Sequence, residues 1–254
     1  MNPPIKDWRG KRVWIVGASS GIGHALADLL DTLGARVCVS ARNQQSLNAF
    51  VANRPNAFAI ALDVTQPGAL ALAFDQLTVH EHIDLIVYCA GHYTAMRAQD
   101  FDLEDARKHF DINYLGVLNL LDACLPKMTS CGKGHFSVVS SVAGYSGLPK
   151  SLAYGPTKAA LIHLAEVLYL DLHPLGIGVS VINPGFVQTP LTAQNTFHMP
   201  ALLTPEQAAR EIVDGYRKGE FEIHFPKRFS RFLKLLRLLP YSIYFTLISK
   251  LTGL

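Results

Sequence analysis

The sequence lacks the features that mark membrane-spanning and disulfide-stabilised proteins. Its 254 residues contain no run of about eighteen consecutive apolar residues, the length a helix needs to cross a bilayer. Only four cysteines are present, with no Cys-x-x-Cys pair, so neither a disulfide scaffold nor a thiol-based redox motif is indicated. No basic segment followed by an apolar core and a small-residue cleavage site opens the chain, and we therefore expect a cytoplasmic protein rather than a secreted one.

Charge is scarce and unevenly distributed. Charged residues make up 17% of the chain and apolar residues 49%, which excludes a disordered protein and predicts one full-sized core. Residues 227–254 carry six Lys and Arg and no Asp or Glu, so the rest of the chain has a net charge of −3 although the whole has +3. We expect residues 1–226 to form one domain and residues 227–254 to form a basic extension.

Short apolar runs alternate with longer amphipathic ones. The runs are rich in Val, Ile and Leu with little polar alternation, as in parallel strands covered on both faces. The predicted strands are 13–16, 36–40, 58–62, 85–89, 135–140, 178–183 and 221–224. The predicted helices are 22–33, 66–79, 114–127, 153–172 and 205–218. This order predicts a single α/β domain with a doubly wound, seven-stranded parallel sheet.

The first predicted strand runs directly into a glycine-rich loop in which the first helix begins. The loop reads Gly17-Ala18-Ser19-Ser20-Gly21-Ile22-Gly23. Glycine permits positive φ and lets the backbone approach a ligand, and the free N–H groups at a helix start attract phosphate. The order strand, loop, helix predicts a dinucleotide site, with a ligand-free glycine turn as the alternative.

The end of the second predicted strand bears on the choice of nucleotide. It reads Val39-Ser40-Ala41-Arg42-Asn43 and contains no carboxylate. A carboxylate here would bind the ribose hydroxyls of NAD(H), whereas the planar guanidinium of Arg42 suits a 2′-phosphate. We therefore expect NADP(H) to be preferred over NAD(H). The alternative is that Arg42 is a solvated residue at a helix start.

Three residues in the second half of the chain form a candidate acid–base group. Tyr154 and Lys158 are four residues apart, one turn along the same helix face. A phenol ordinarily titrates near pH 10, so proton transfer near neutrality needs positive charge beside it, which Lys158 and an oxidised nicotinamide would supply. Ser141 ends the fifth strand and can bond a carbonyl or alcohol oxygen. The structural alternatives are that Tyr154 is a helix-surface aromatic, Lys158 a solvated charge and Ser141 a strand-end cap.

Together these residues resemble the short-chain dehydrogenase/reductase family, in its short, NADP(H)-preferring form, over residues 11 to about 225. The resemblance implies a Rossmann-like fold in which Ser141 orients the substrate, Tyr154 exchanges the proton, and Lys158 binds the nicotinamide ribose and lowers the tyrosine pKa. It also implies an adenine contact at Asp63, a cofactor contact at Ala90 and Gly91, a water-holding fourth catalytic residue at Asn113, and a nicotinamide-binding stretch comprising Pro184, Gly185, Val187 and Thr189.

The sequence departs from the pattern of that family in two places, a single residue and a pair. Val16 stands where the family often has Thr, and Tyr88-Cys89 stands where it has an Asn-Asn pair. In the family these positions support each other. Their joint replacement predicts a repacked strand contact with catalysis retained.

The basic extension has the pattern of a helix that lies on a membrane surface. Basic residues recur at 228, 231, 234 and 237, and large apolar residues fall mostly on the other faces. The alternatives are that the apolar face packs over the substrate cleft or against another subunit. Nucleic acid is disfavoured, because the basic residues are interleaved with large aliphatics and the remaining chain is acidic.

The resemblance also implies a homodimer or homotetramer. Helical residues 159–170 are apolar nearly all round and need cover on a second face, which a subunit interface would supply. No histidines pair at ligand spacing with a suitable carboxylate or thiolate, so we expect no metal site.

These observations predict an NADP(H)-dependent oxidoreductase that transfers hydride between the nicotinamide and a ketone or secondary alcohol. Residues 191–203, which follow the sixth strand, contain no Asp, Glu, Lys or Arg, which favours an apolar substrate. A 3-oxoacyl-thioester reductase with the same catalytic residues is one alternative. The other is a non-catalytic NADPH-binding protein at a membrane surface, which would be free to lose Tyr154 and Lys158.

Overall fold

The structure is a computed structural model and describes residues 1–195, 197 and 199–253. The strands are β1 (Arg12–Val16), β2 (Arg36–Ala41), β3 (Phe58–Ala61), β4 (Leu85–Tyr88), β5 (His135–Val139), β6 (Gly178–Pro184) and β7 (Glu222–Phe225). The α-helices are α1 (Gly21–Thr32), α2 (Gln44–Val51), α3 (Ala69–Thr78), α4 (Leu103–Phe110), α5 (Gly116–Cys131), α6 (Tyr154–Leu172), α7 (Pro205–Lys218), α8 (Lys227–Arg237) and α9 (Tyr241–Thr252). Within the described ranges, every helix is too short or too polar to cross a bilayer.

All seven strands pair in parallel, in the order β3-β2-β1-β4-β5-β6-β7. This confirms the predicted α/β fold. The strand order reverses between β1 and β4: β2 and β3 lie on one side of β1, and β4 to β7 lie on the other. At such a switch point the connections that follow the two strands run in opposite directions, which leaves a crevice at the carboxyl ends of the strands. Val16 pairs with Ser40 on one side and with Tyr88 on the other, so three strand ends meet at this crevice.

Two apolar layers cover the sheet. Side chains from α3, α5 and α6 pack on one face, with Trp14 and Val16 of β1 pointing into that layer. Side chains from α1, α2 and α7 pack on the other face, together with Val13 and Ile15. Because both faces are buried, the strands carry few polar residues, as their sequences predict.

The two short helices α2 and α4 are absent from the sequence-based prediction. Each has eight residues, and each begins at a side-chain cap: Asn43 accepts from the Ser46 N–H, and Asp102 accepts from the Asp105 N–H. Both bury only two side chains, so neither shows an apolar stripe long enough to detect. The predicted helix 114–127 also differs, because Asp111–Leu115 forms a π-helical turn before α5.

Tyr88, one of the two departures from the family pattern beside the glycine loop, is buried in a close-fitting contact. Its hydroxyl donates to the carbonyl of Ile112 in the π-helical turn. A Cβ on Gly116 would lie 2.1 Å from that hydroxyl, so only glycine leaves room for the tyrosine there. Tyr88 thus links the end of β4 to the turn that carries Asn113.

The N-terminal segment is held against the start of β6 by Asn2, which is 3% exposed. Its Nδ2 donates to the carbonyl of Val179 at 2.6 Å, and its Oδ1 accepts from the N–H of the same residue at 3.0 Å. Its backbone N–H donates to the Gly219 carbonyl at 3.0 Å, after α7. One buried carboxamide therefore joins three segments distant in sequence.

We expect Asn2→Ala to lower the free energy of unfolding by about 2 kcal/mol, because it leaves the Val179 N–H and carbonyl buried without that partner. Urea denaturation followed by circular dichroism measures this loss. Asn56→Ala, at an exposed position, is the matched control and should leave the unfolding curve unchanged. Equal stability of the two variants would contradict the assignment.

Candidate active site

A cleft of about 400 Å³ lies at the carboxyl ends of β1, β2, β4, β5 and β6. It brings together all but one of the site residues that the sequence analysis names. They are Gly17, Ser19, Ser20, Gly21, Ile22, Gly23, Arg42, Asp63, Ala90, Gly91, Ser141, Tyr154, Lys158, Pro184, Gly185, Val187 and Thr189. Asn113 is fully buried and is not among the lining residues.

The glycine loop has the shape of a phosphate cradle. Gly17 has φ +96° and Gly21 has φ +58°, both in the region that favours glycine. A Cβ on Gly17 would lie 2.3 Å from the backbone nitrogen of Ala90, and one on Gly23 would lie 2.3 Å from the Gly17 carbonyl oxygen. Ser20, at the N-cap of α1, makes no side-chain cap, so the first N–H groups of the helix remain available to an anion. These features fit a dinucleotide pyrophosphate.

The far end of the cleft is formed by Ala41, Arg42 and Asn43 at the end of β2. Arg42 is exposed and forms no ion pair with any residue that the structure describes. Asp63 also lines the cleft, and its Oδ1 accepts from the N–H and the hydroxyl of Thr65, at 3.0 and 2.8 Å. Among the lining residues at this end, Arg42 is the one with a positively charged side chain.

Ser141 stands immediately after β5 and faces the same cleft as Tyr154. Its Oγ accepts from the Ala143 N–H at 3.1 Å, so it does cap the turn at the strand end. That bond uses an oxygen lone pair and leaves the hydroxyl hydrogen available to another oxygen in the cleft, that of Tyr154 or of a substrate. The structural and chemical interpretations of Ser141 are therefore compatible.

Tyr154 is the first residue of α6, and Lys158 follows one turn later. The start of α6 is fixed to the end of β5, because the Ser140 hydroxyl donates to the Lys158 carbonyl at 2.7 Å. The Lys158 ammonium, on a side chain that is almost fully buried, donates to the Val139 carbonyl at 2.9 Å and lies 5.4 Å from the centroid of the Tyr154 ring. Burial lowers the pKa of Lys158 from 10.5 to about 8.

The acidity of Tyr154 differs from the sequence-based expectation. Burial raises the pKa of the phenol to about 12, although the Ser141 hydroxyl acts in the opposite direction. Lys158 is aimed at the Val139 carbonyl, and its charge does not compensate for the desolvation of the phenolate. In this structure the phenol of Tyr154 therefore holds its proton at neutral pH.

Asn113 lies behind the cleft and forms hydrogen bonds to the lining residue His92 and to α6. Its Oδ1 accepts from the His92 N–H at 2.7 Å, and its Nδ2 donates to the His92 carbonyl at 2.9 Å and to the Thr157 hydroxyl at 3.1 Å. The side chain thus joins the loop after β4 to α6. Both amide hydrogens are used, and one lone pair of Oδ1 remains to accept from water.

Sequence reasoning missed Asp105, which pairs with a histidine in the cleft wall. Its Oδ1 is 2.7 Å from His92 Nε2. Burial opposes ionisation, but the hydrogen bond and charge of His92 lower the pKa of this carboxyl overall. His109 completes a group with metal-ligand spacing. Both His109 nitrogens are occupied, however, one by the Thr94 N–H and one by the Asp105 carbonyl, so the group offers two ligands rather than three.

Aromatic side chains lie beside residues that line the cleft. The Tyr93 ring lies 4.9 Å from that of Tyr154, and the Phe186 ring lies 5.8 Å from Phe197 and 5.9 Å from Phe229 of α8. Residues 191–203 are the sequence-based candidates for contact with the substrate. Of these, residues 196 and 198 lie outside the described ranges. No sequence motif predicts that Tyr93 lies near Tyr154, because the conformation of the loop after β4 sets its position.

We expect Lys158→Met to raise the free energy of unfolding at pH 7 by about 2 kcal/mol. The fall in the Lys158 pKa from 10.5 to about 8 corresponds to about 3 kcal/mol of destabilisation while the amine is protonated in both states. Loss of the hydrogen bond to Val139 offsets about 1 kcal/mol of that gain.

The pH dependence separates this effect from ordinary repacking. Between pH 8 and 10.5 the unfolded chain retains a proton that the folded chain has released, so the wild-type protein gains stability as pH rises and the difference from Lys158→Met closes. Urea denaturation without cofactor across this range is the measurement, with the exposed Lys133→Met as control. A Lys158→Met protein less stable than wild type at pH 7 would refute the prediction.

Comparisons with known proteins identify the family of this chain. The family model described as short chain dehydrogenase matches residues 11–199. An uncharacterized oxidoreductase of Myxococcus xanthus is 35% identical over 234 residues, which cover 89% of this chain and 91% of the relative. A short-chain dehydrogenase structure from Streptomyces avermitilis has a TM-score of 0.82 at 26% identity and covers 96% of this chain and 98% of its own. One from Burkholderia cenocepacia, solved in complex with NADP, has a TM-score of 0.79 at 24% identity and covers 92% and 100%. The chain belongs to the short-chain dehydrogenase family of oxidoreductases.

Proposed function

We propose that this protein is an NADP(H)-dependent carbonyl reductase that converts an apolar ketone to a secondary alcohol, in a reversible reaction. One observation carries the proposal: Ser141, Tyr154 and Lys158 line the same cleft as the glycine loop and the uncapped start of α1. A proton donor and a hydride-donor site thus share one cleft, as carbonyl reduction requires.

The cofactor, when bound, supplies the hydride that the carbonyl carbon receives. Ser141 donates its free hydroxyl hydrogen to the carbonyl oxygen and holds the carbonyl in place. Tyr154 transfers its phenolic proton to the same oxygen as negative charge develops there, and the resulting phenolate recovers a proton from water. The Lys158 ammonium, 5.4 Å from the ring centroid, favours that transient phenolate.

The protonation state of Tyr154 in the free protein suits its proposed role as the proton donor in reduction. A phenol whose pKa is raised to about 12 by burial is protonated at neutral pH and is ready to donate. Oxidation of an alcohol requires the phenolate first, and the free protein disfavours it. Added positive charge beside the ring would be needed for the reverse reaction.

The preference for NADPH rests on Arg42. It is exposed at the end of β2, where the lining residues Ala41 and Asn43 carry no charge. It also directly precedes the cap of α2, whose N-terminal dipole adds positive potential for a phosphate. The apolar substrate class rests on aromatic rings beside the cleft. Tyr93 packs against Tyr154, and Phe186, which follows the lining residue Gly185, packs against Phe197.

We also propose that the enzyme is a homodimer or homotetramer of the cytoplasm. Large apolar side chains of α5 and α6 remain exposed, among them Leu118 on α5, and Val167 and Leu170 on α6, the last at 71%. A second copy is the occupant that the family resemblance implies for this surface. The four cysteines are free thiols, which suits a reducing compartment.

Tyr154→Phe tests the mechanism. With NADPH and a series of ketones of increasing chain length, we expect kcat to fall about a thousandfold, because the ring remains and only the proton donor is lost. The dissociation constant for NADPH, measured by fluorescence, should stay within about twofold. Tyr241→Phe, at an exposed position on α9, is the matched control. Unimpaired turnover in Tyr154→Phe would refute the assignment.

Arg42→Ala tests the cofactor preference. We expect kcat/KM for NADPH to fall at least about tenfold, through loss of a charged hydrogen bond to the 2′-phosphate, and kcat/KM for NADH to be unchanged. The exposed Arg210→Ala on α7 should affect neither cofactor. Equal losses with NADPH and NADH, or equal use of both by the wild-type enzyme, would rule out this role for Arg42.

A further inference from the structure

The basic extension forms two helices, α8 and α9, and one face of this helical pair packs on the rest of the protein. Leu233 and Leu236 of α8 and Tyr244 and Ile248 of α9 are buried against residues 142–148, the segment that follows Ser141. The Tyr244 hydroxyl donates to the Gly147 carbonyl at 2.7 Å. This inner face accounts for part of the apolar content of the extension, as one of the alternatives from the sequence predicted.

The solvent-exposed surface of α8 and α9, here called the outer face, is rich in apolar side chains. Seven large apolar side chains of the 27 described residues 227–253 are exposed: Phe232, Leu235, Leu238, Tyr241, Ile243, Phe245 and Leu251. Leu235 is 64% exposed, Leu238 79% and Tyr241 78%. A patch of this kind on a water-soluble surface marks a binding site for a protein or a membrane.

Charge distinguishes between these occupants. Lys227 and Lys234 are paired with Glu220 and Glu222 of the body, so they are not part of the outer face's free charge. The other four basic residues, Arg228, Arg231, Arg237 and Lys250, are exposed and form no ion pair with a described residue. No Asp or Glu occurs in residues 227–254.

The spacing of these residues matches an interfacial helix. On α8, Arg228, Arg231 and Leu235 recur at three- and four-residue intervals on the face opposite Leu233 and Leu236. Helices that lie at the surface of a bilayer combine cations that reach the lipid headgroups with large apolar side chains that enter the acyl boundary. With 11 and 12 residues, α8 and α9 are too short to span a bilayer.

We propose that the outer face of α8 and α9 binds the surface of an anionic phospholipid bilayer. A second copy of this chain is a poorer occupant, because two identical outer faces would bring four unpaired cations against four others with no acidic residue to separate them. An anionic bilayer supplies the opposite charge and an apolar phase together. The proposal is independent of the reductase chemistry and goes beyond it.

Contacts of the inner face connect the proposed membrane site to the cleft. A Cβ on Gly185, which lines the cleft, would lie 3.2 Å from the Phe229 ring of α8, and Phe229 in turn contacts Phe186. One helix, about 10 Å across, therefore separates the proposed bilayer surface from the part of the cleft that Gly185 lines. An apolar ketone dissolved in lipid would have a short path to such a cleft.

The test is sedimentation of the full-length protein with vesicles of phosphatidylcholine, with and without phosphatidylglycerol. We expect the partition coefficient to be at least about tenfold higher with phosphatidylglycerol and to fall as salt is added. Arg231→Glu combined with Arg237→Glu should remove at least about nine-tenths of the binding. Leu235→Ser combined with Leu238→Ser should weaken binding similarly while leaving the charge intact.

Arg210→Glu combined with Lys218→Glu, on α7, makes the same change in net charge at exposed positions away from the outer face and should bind as wild type does. Melting curves of all variants should coincide, because the substituted side chains are exposed. The proposal is overturned if wild type ignores phosphatidylglycerol vesicles, or if the α7 variant loses as much binding as the α8 variant. The proposal is also overturned if the leucine variant retains full binding. It fails as well if, in sedimentation velocity runs without lipid, wild type is an oligomer and the leucine variant is not. Because vesicle binding requires no turnover, these outcomes stand apart from those of Tyr154→Phe.

Discussion

Two hydrogen bonds at the end of β5 hold the proposed catalytic groups in position. The Ser140 hydroxyl donates to the Lys158 carbonyl, and the Lys158 ammonium donates to the Val139 carbonyl. Because Tyr154 is one turn before Lys158 on α6, fixing the lysine at both its backbone and its side chain also fixes the phenol. A Cβ on Gly144 would lie 2.7 Å from the Lys158 carbonyl carbon, so the turn after Ser141 packs directly on α6. The strand end and the helix start thus form one rigid unit.

This arrangement holds the site in place but lowers the free energy of unfolding of the protein, because it buries a charge. An ammonium buried against a neutral carbonyl, with no carboxylate partner among the described residues, opposes folding near neutral pH. Nearby, Asn113 ties the cleft wall to α6, and Tyr88 anchors the π-helical turn that carries Asn113. Tyr88-Cys89 stands where the family pattern has an Asn-Asn pair, and Gly116 leaves room for the tyrosine.

The C-terminal helices α8 and α9 are also fixed to the segment that follows Ser141. Their inner face closes over the segment after Ser141, and Glu222 accepts from Lys234, Tyr145 and Asn183, which joins α8, that segment and β6. The extension is therefore packed against the body rather than merely tethered to it. Of the four basic residues at three-residue spacing, Lys234 points toward the body, and Arg228, Arg231 and Arg237 remain on the outside.

The sequence by itself determined the parallel sheet, the longer helices, the glycine loop and the positions of Ser141, Tyr154 and Lys158, because each depends on periodicity or spacing within a short stretch of chain. Short polar helices such as α2 carried too little periodic signal. Tertiary structure alone decided the acidity of Tyr154, the pairing of His92 with Asp105, and which face of α8 stays exposed. These depend on burial and on partners far away along the chain, and such contacts exist only once the sheet has assembled.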